Sequence, residues 1–184
     1  MNACHRLRAM SLLPLTLGAL ALLAPVATAS AQESPAPVNL ALFAPVQTTG
    51  EDRSVNVFRL SLIYGKNADV SGFDLSLVGK STGDGVGVQW AGVGLTDGDF
   101  TGWSDCLVSR VGGHMSGLQS GGVNLSGSCK GVQLGWVNVS DDVNGLQFGI
   151  VNITDQMNGV QIGLFNMIKS KDTLSILPLV NWKF

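Results

Sequence analysis

A short sequence unit recurs four times between residues 117 and 166, and it constrains the fold more than any other feature. The four segments are GLQSGGVN, GVQLGWVN, GLQFGIVN and GVQIGLFN, and successive copies begin 14 residues apart. They share a first glycine, a glutamine at position three and, at position eight, an asparagine: Gly117, Gln119, Asn124; Gly131, Gln133, Asn138; Gly145, Gln147, Asn152; Gly159, Gln161, Asn166. A fixed period indicates a repeat architecture, so these residues are predicted to be structural.

Large apolar residues alternate with polar or small ones inside each copy. In the second copy, Val132, Leu134 and Trp136 occupy positions two, four and six, and Gln133 and Gly135 lie between them. A period of two is typical of a β-strand with one apolar face, whereas a helix needs apolar spacings of three and four. The copies are therefore predicted to be strands.

Weaker copies extend the pattern over most of the chain. With steps of 15 residues they begin at Val57, Gly72, Gly87 and Gly102, and a last copy begins at Leu174. An alternating apolar segment at Val38–Val46 brings the total to about ten candidate strands.

Two all-β architectures accommodate these strands. In the first, a repeat-built antiparallel meander closes into a small barrel of about ten strands, with its apolar face toward lipid and its polar face inside. In the second, each copy is one coil of a β-solenoid with 14–15 residues per coil. Its apolar face is expected inside, and glutamines and asparagines are expected to stack on their own copies as amide ladders.

The aromatic residues favour the barrel. The chain ends in Trp182 and Phe184 at alternate positions, which resembles the closing strand of bacterial outer-membrane barrels. Trp90, Trp103 and Trp136 occupy apolar positions, where they are appropriate for a lipid interface. We therefore interpret Trp182 and Phe184 as a C-terminal barrel signal.

Two further observations concern the strands themselves. Arg59 and Asp74 lie on the polar faces of adjacent strands, so in a barrel they are expected to pair in the lumen. Strand length argues the other way, because eight residues tilted by about 40° rise only about 20 Å, against an apolar band of about 25 Å.

The N-terminal region predicts export. Residues 1–31 are expected to be a cleaved signal peptide, because basic residues precede an apolar run, Leu12 to Leu23, that ends in a small-residue cleavage pattern. Residues 32–37 then form a lead-in, and residues 38–184 form a single β-repeat domain.

Export also makes a disulfide chemically permissible. Cys4 belongs to the predicted signal peptide, which leaves Cys106 and Cys129 in the exported part. In the repeat alignment Cys106 falls in a strand and Cys129 in a turn, so the sequence leaves their pairing open.

Composition and motifs exclude several classes of function. Only 13% of the 184 residues are charged and the formal net charge is −2, which argues against a nucleic-acid partner. Beyond the signal peptide His114 is the only histidine, so neither a histidine metal cluster nor a catalytic triad is predicted. No catalytic, cofactor or metal site is expected, and the protein is predicted not to be an enzyme.

A lipid-modifying barrel enzyme is a third hypothesis, and it would have to use His114 with Ser109 or Ser116.

The repeat resembles a known family. The segments GVQLGWVN, GLQFGIVN and GVQIGLFN, the earlier RLSLIYGKNADVSGFDLSL and the ending LPLVNWKF resemble an exported bacterial surface-repeat family of spirochaetes and vibrios, built from G-L-Q-I-G-L-V-N units. The resemblance implies surface or outer-membrane association and no enzymatic residues. Gln133, Gly135 and Asn138 are also similar to the Q-x-G-x-x-N core of curli subunits. This chain has a shorter repeat period than curli subunits, and its alternate positions are more hydrophobic.

These observations lead to one functional hypothesis and one alternative. The first is a structural or interaction protein of the outer membrane or cell surface of a Gram-negative-type bacterium. Its expected partners are outer-membrane lipid and the barrel-assembly machinery. The alternative is an exported β-solenoid that acts as a surface adhesion or matrix component. The sequence leaves the ligand and the oligomeric state open.

Overall fold

The computed structural model describes residues 34–184. The strands are β1 (Ala36–Phe43), β2 (Val46–Gln47), β3 (Val55–Asn67), β4 (Val70–Ser81), β5 (Gly85–Thr96), β6 (Phe100–Ile168) and β7 (Ile176–Lys183). They form one sheet in the order β2-β1-β3-β4-β5-β6-β7. No helix in this part of the chain has the length and hydrophobicity needed to cross a membrane.

The predicted signal peptide, residues 1–31, lies outside the described residues. β1 begins at Ala36, two residues before the predicted start of the repeat domain at Val38, and therefore includes the end of the predicted lead-in.

From β3 to β6 the strands pair in parallel with a register of one repeat. Phe58 lies beside Phe73 in the β3–β4 pair, and Phe73 lies beside Val88 in the β4–β5 pair. Each repeat is therefore one coil, and equivalent residues of successive coils are neighbours. The fold is a β-solenoid, which confirms the alternative. The antiparallel barrel was wrong, because an antiparallel pair reverses the chain and cannot place like residues side by side in this way.

The repeats from residue 100 onward wind without a break. β6 extends over 69 residues and includes the turns between the four glycine-led copies. Hydrogen bonds join residues 14 apart, such as Gln133 and Gln119 or Asn138 and Asn152. The predicted strands of eight residues with separate connections are thus parts of one continuous winding.

The polar face of the repeat lies inside and the apolar face lies outside. Gln133 and Asn138 are fully buried, whereas Trp136 is 64% exposed and Leu164 is 68% exposed. The expectation that a solenoid would bury its apolar face was therefore wrong. In-register stacking lets buried amides bond to their own copies in the neighbouring coils, which satisfies the amides in the middle of the stack.

A narrow apolar core runs along one edge of the interior. Its members are Phe100, Val111, Met115, Cys129, Val143, Met157 and Ile168. Several occupy the same place in successive coils, for example Met115, Cys129 and Val143, which are 14 residues apart. These residues lie at the turns between the predicted strands, which explains why the alternation at positions two to six did not reveal them.

Antiparallel strands cover the two ends of the stack. β2 pairs with β1, and β7 pairs with the last coil of β6 from Gly159 to Met167. β7 contains Pro178, whose missing N–H is typical of an edge strand. Of the predicted barrel signal, Trp182 belongs to this end strand and Phe184 follows it, and neither closes a barrel; the two residues are 52% and 85% exposed.

Candidate functional site

The first glycine of each copy is required by backbone geometry. From Gly72 to Gly159 these glycines have φ between 93° and 156°, a region that residues with a side chain rarely adopt. A Cβ on Gly145 would overlap the carbonyl oxygen of Gly131 in the preceding coil. Successive coils therefore approach each other here as closely as only glycine permits.

The glutamines at position three form a buried ladder. Gln133 Nε2 donates to Gln119 Oε1 at 2.8 Å, and Gln147 Nε2 donates to Gln133 Oε1 at 2.8 Å. Gln161 Nε2 donates to Gln147 Oε1 at 2.7 Å. Every donor therefore points toward the N-terminal side of the stack, and the predicted stacking of glutamine on glutamine is present.

The asparagines at position eight form a second ladder with the opposite direction. Asn124 Nδ2 donates to Asn138 Oδ1, Asn138 to Asn152, and Asn152 to Asn166, each at 2.8 Å. Each ladder ends in a buried acceptor, Gln161 Oε1 or Asn124 Oδ1, that has no hydrogen-bond partner among the described residues. These unpaired oxygens lie at opposite ends of the two ladders.

An ion pair begins the position-three column in the first coils. Arg59 Nε donates to Asp74 Oδ1 at 2.8 Å, and Arg59 Nη2 lies 2.5 Å from Asp74 Oδ2. Gln89 Nε2 donates to the same carboxylate at 3.1 Å, and Ser76 Oγ donates to it at 2.6 Å. The expected Arg59–Asp74 pair is formed, inside the solenoid, and further hydrogen bonds stabilise it despite complete burial of the guanidinium.

The two cysteines are both free and buried. Burial raises the pKa of the Cys106 thiol from 9.0 to about 11, although a hydrogen bond with Ser104 lowers it. Burial raises the pKa of Cys129 to about 12. Cys106 lies at position five and Cys129 lies in the apolar core, so they occupy different columns of the interior. The candidate disulfide is not formed in this structure.

Of the residues considered for chemistry, His114 is exposed and Ser116 is half-buried, whereas Ser109 is completely buried. Asp99 Oδ1 accepts a hydrogen bond from the backbone N–H of His114 at 2.8 Å, and His114 Nδ1 contacts Ser128 Oγ. Asp84 and Asp69 accept equivalent backbone bonds from the following turns. Across residues 34–184, no group of three or more His, Cys, Asp or Glu side chains could hold a metal ion. The aspartates thus have a visible structural role as turn ladders.

The exterior is the part of the molecule that is available to partners. At positions two, four and six it presents large apolar side chains, of which Trp90 (59%), Trp136 (64%) and Leu164 (68%) are well exposed. Charged pairs lie outside these positions, as with Lys80 and Asp97, whose charged atoms are 3.0 Å apart. The apolar exterior therefore carries few charges.

Comparison with protein-family models, curated proteins and solved structures returned no match.

Sequence reasoning identified the residues of the repeat but missed their neighbours across coils. Trp90 lies beside Asp105 because the two are one 15-residue repeat apart. That spacing is visible in the sequence, and it identifies contacts only once the strands are known to be parallel and in register.

Proposed function

We propose that this protein is an exported structural and interaction protein that lies on outer-membrane lipid at the cell surface through its apolar exterior. The observation that carries the proposal is the reversal of the usual arrangement of a water-soluble protein. Buried amides satisfy one another inside the coil, while leucine, isoleucine, phenylalanine and tryptophan side chains face outward. Large contiguous apolar patches on a protein surface mark membrane or protein contacts.

Lipid is the occupant that fits this exterior best. The exposed residues include Trp90, Trp136 and Trp182, and indole rings favour the interface between lipid headgroups and acyl chains. The apolar surface continues at the next outward position with Val137, which is half-buried, and Phe165, which is 39% exposed. A lipid surface can cover such an irregular exterior, whereas a second copy needs one complementary plane. The barrel-assembly machinery is no longer expected as a partner, since it belonged to the barrel prediction.

Vesicle flotation tests the proposal. The purified protein is mixed with vesicles of phosphatidylethanolamine and phosphatidylglycerol and centrifuged through a density gradient. We expect the protein to rise with the vesicles. A triple variant, Trp136→Gln, Phe148→Gln and Leu164→Gln, should remain at the bottom, because it removes exposed apolar area without touching the interior.

A matched control separates lipid binding from loss of fold. Gln substitutions at Lys80, Asp97 and Lys130 change the same number of residues outside the apolar positions and should leave flotation unaffected. Circular dichroism should show the same strand content in all three proteins. A wild-type protein that stays monomeric in detergent-free buffer and does not float would contradict the proposal. Lipid-free assembly that the triple variant abolishes would assign the surface to a second copy, as in a matrix component.

A further inference from the structure

A groove on the apolar exterior combines aromatic rings with a carboxylate. It has a volume of about 200 Å³ and is lined by Phe73, Val88, Trp90, Trp103 and Asp105. The register explains its shape. Val88 lies between Phe73 and Trp103 in one column, so a small side chain forms the floor between two large ones. In the next column Trp90 lies beside Asp105.

Asp105 is exceptional on this surface. In the repeats from residue 57 to 166 it is the only charged residue at positions two, four and six. Leu75 and Trp90 precede it in the same column, so the carboxylate, which Ser120 follows one repeat later, stands where the earlier copies place an apolar side chain. Asp105 is half-buried, so its carboxylate stays accessible and gives this part of the apolar exterior a negative charge.

The surrounding hydrogen bonds hold the groove in one arrangement. Trp103 Nε1 donates to Ser120 Oγ at 3.0 Å, and Ser120 Oγ donates to Asp105 Oδ1 at 3.0 Å. One serine therefore fixes both the indole ring and the carboxylate. Trp103 remains 46% exposed and Trp90 59% exposed, so their rings are accessible. Preorganisation of this kind reduces the entropy lost when a ligand binds.

We propose that this groove binds a small organic ammonium ion. A cation beside tryptophan is attracted by the negative ring face, and aromatic sites of this type are used for quaternary ammonium groups. Asp105 supplies the complementary charge. The volume is below the roughly 300–1,000 Å³ of sites for drug-sized ligands, which selects a small head group. An anion is repelled by Asp105, and a hard metal ion needs several oxygen ligands.

The test is a titration of the purified protein with tetramethylammonium chloride at constant ionic strength. Tryptophan fluorescence is followed in a Trp136→Phe, Trp182→Phe background, so that within residues 34–184 only Trp90 and Trp103 report. We expect a saturable change. tert-Butanol, a neutral molecule of similar size, should give no saturable change at the same concentrations.

Two variants test the assigned roles. Asp105→Asn keeps an acceptor for Ser120 and removes the charge, so it should weaken binding about five- to tenfold. Trp103→Leu, measured by calorimetry, should weaken it about fivefold. Asp142→Asn, an equivalent change at an exposed turn, should have no effect. Absence of saturable binding, or equal affinity of wild type and Asp105→Asn with unchanged circular dichroism, would overturn the proposal.

A lipid experiment identifies the source of the ammonium group. Binding to phosphatidylcholine vesicles is compared with binding to phosphatidylglycerol vesicles, with and without tetramethylammonium. Competition only on phosphatidylcholine identifies a lipid headgroup as the ligand, and absence of competition together with saturable binding in the titration identifies a free cation. Because the titration above contains no lipid, its outcome is independent of the proposed membrane association.

Discussion

Single residues in the interior carry hydrogen bonds that pass from coil to coil. An amide in the middle of a ladder is both donor and acceptor, so its loss affects two neighbours. Gln147, for example, donates to Gln133 and accepts from Gln161. The stability of this core therefore depends on polar pairing, whereas most globular cores depend on apolar packing.

Replacing Gln147 with leucine should be strongly destabilising. The variant removes both ladder bonds and places an apolar group between two buried amides, and we expect a loss of roughly 2–3 kcal/mol in the free energy of unfolding. Gln156→Leu is the matched control, because Gln156 is exposed and the chemical change is the same. Urea unfolding followed by circular dichroism measures both. Equal midpoints for the two variants would contradict a role for the ladder in stability.

The buried thiols predict a dependence of stability on alkaline pH. Their pKa values are raised, so the folded state keeps them neutral where the unfolded chain ionises. Stability from this source is fully present below pH 9 and should fall as pH rises from about 9 toward 11–12, by on the order of 1 kcal/mol per thiol per pH unit. Urea midpoints at pH 8 and pH 10.5 measure the change.

A Cys106→Ala, Cys129→Ala variant provides the comparison for this pH effect. It should lose less stability than the wild type between pH 8 and pH 10.5. A thiol reagent at pH 8 should label Cys106 and Cys129 of the wild type only after unfolding, since both are buried. An identical pH response of the two proteins would show that the thiols do not contribute.

Among the elements, β7 has a role that its length does not suggest. It is eight residues long and supplies the hydrogen-bonding partners of the last coil, from Gly159 to Met167. Without it, the coil would present an unpaired edge to a further copy of the protein. At the other end, β2 has two residues and pairs with β1 only at Ala41 and Phe43, so β7 is the more complete cover of the two.

Deletion of residues 174–184 should therefore convert the protein into an assembling form. We expect end-to-end aggregates, measured by sedimentation and by binding of an amyloid dye, because like-on-like amide stacking also stabilises cross-β assemblies. Phe184→Ala is the control, since it truncates an exposed side chain and keeps the paired strand. A monomeric deletion variant would indicate that β7 does not protect this edge.

For the whole molecule, the repeat could be predicted from the sequence. Which face of each strand points into the interior could not. The alternation of Val132, Gln133 and Leu134 identified strands, and Arg59 and Asp74 were correctly paired because they are neighbours in the repeat. A period of two distinguishes two faces without assigning either to the interior. Parallel register, which decides that question here, depends on contacts between coils.

The apolar core and the external groove escaped prediction for the same reason. Val143 and Met157 lie between the eight-residue copies, where alternation is absent, and they become a column only when the coils stack. Asp105 joins Trp90 and Trp103 through the register and through Ser120. Such sites arise from side chains one repeat apart. They become visible in a sequence only when its repeats are aligned with one another.

The opposite directions of the two amide ladders have an evolutionary consequence. Because each series leaves one orphan oxygen at its own terminus, a duplicated unit inserted in the middle adds satisfied amides without adding orphans. The cost of the two unpaired oxygens stays constant, while the number of hydrogen bonds between buried amides grows with every duplication. Gain or loss of one repeat should therefore be tolerated. Related sequences are expected to differ in the number of repeats far more than in the glycine, glutamine and asparagine of each repeat.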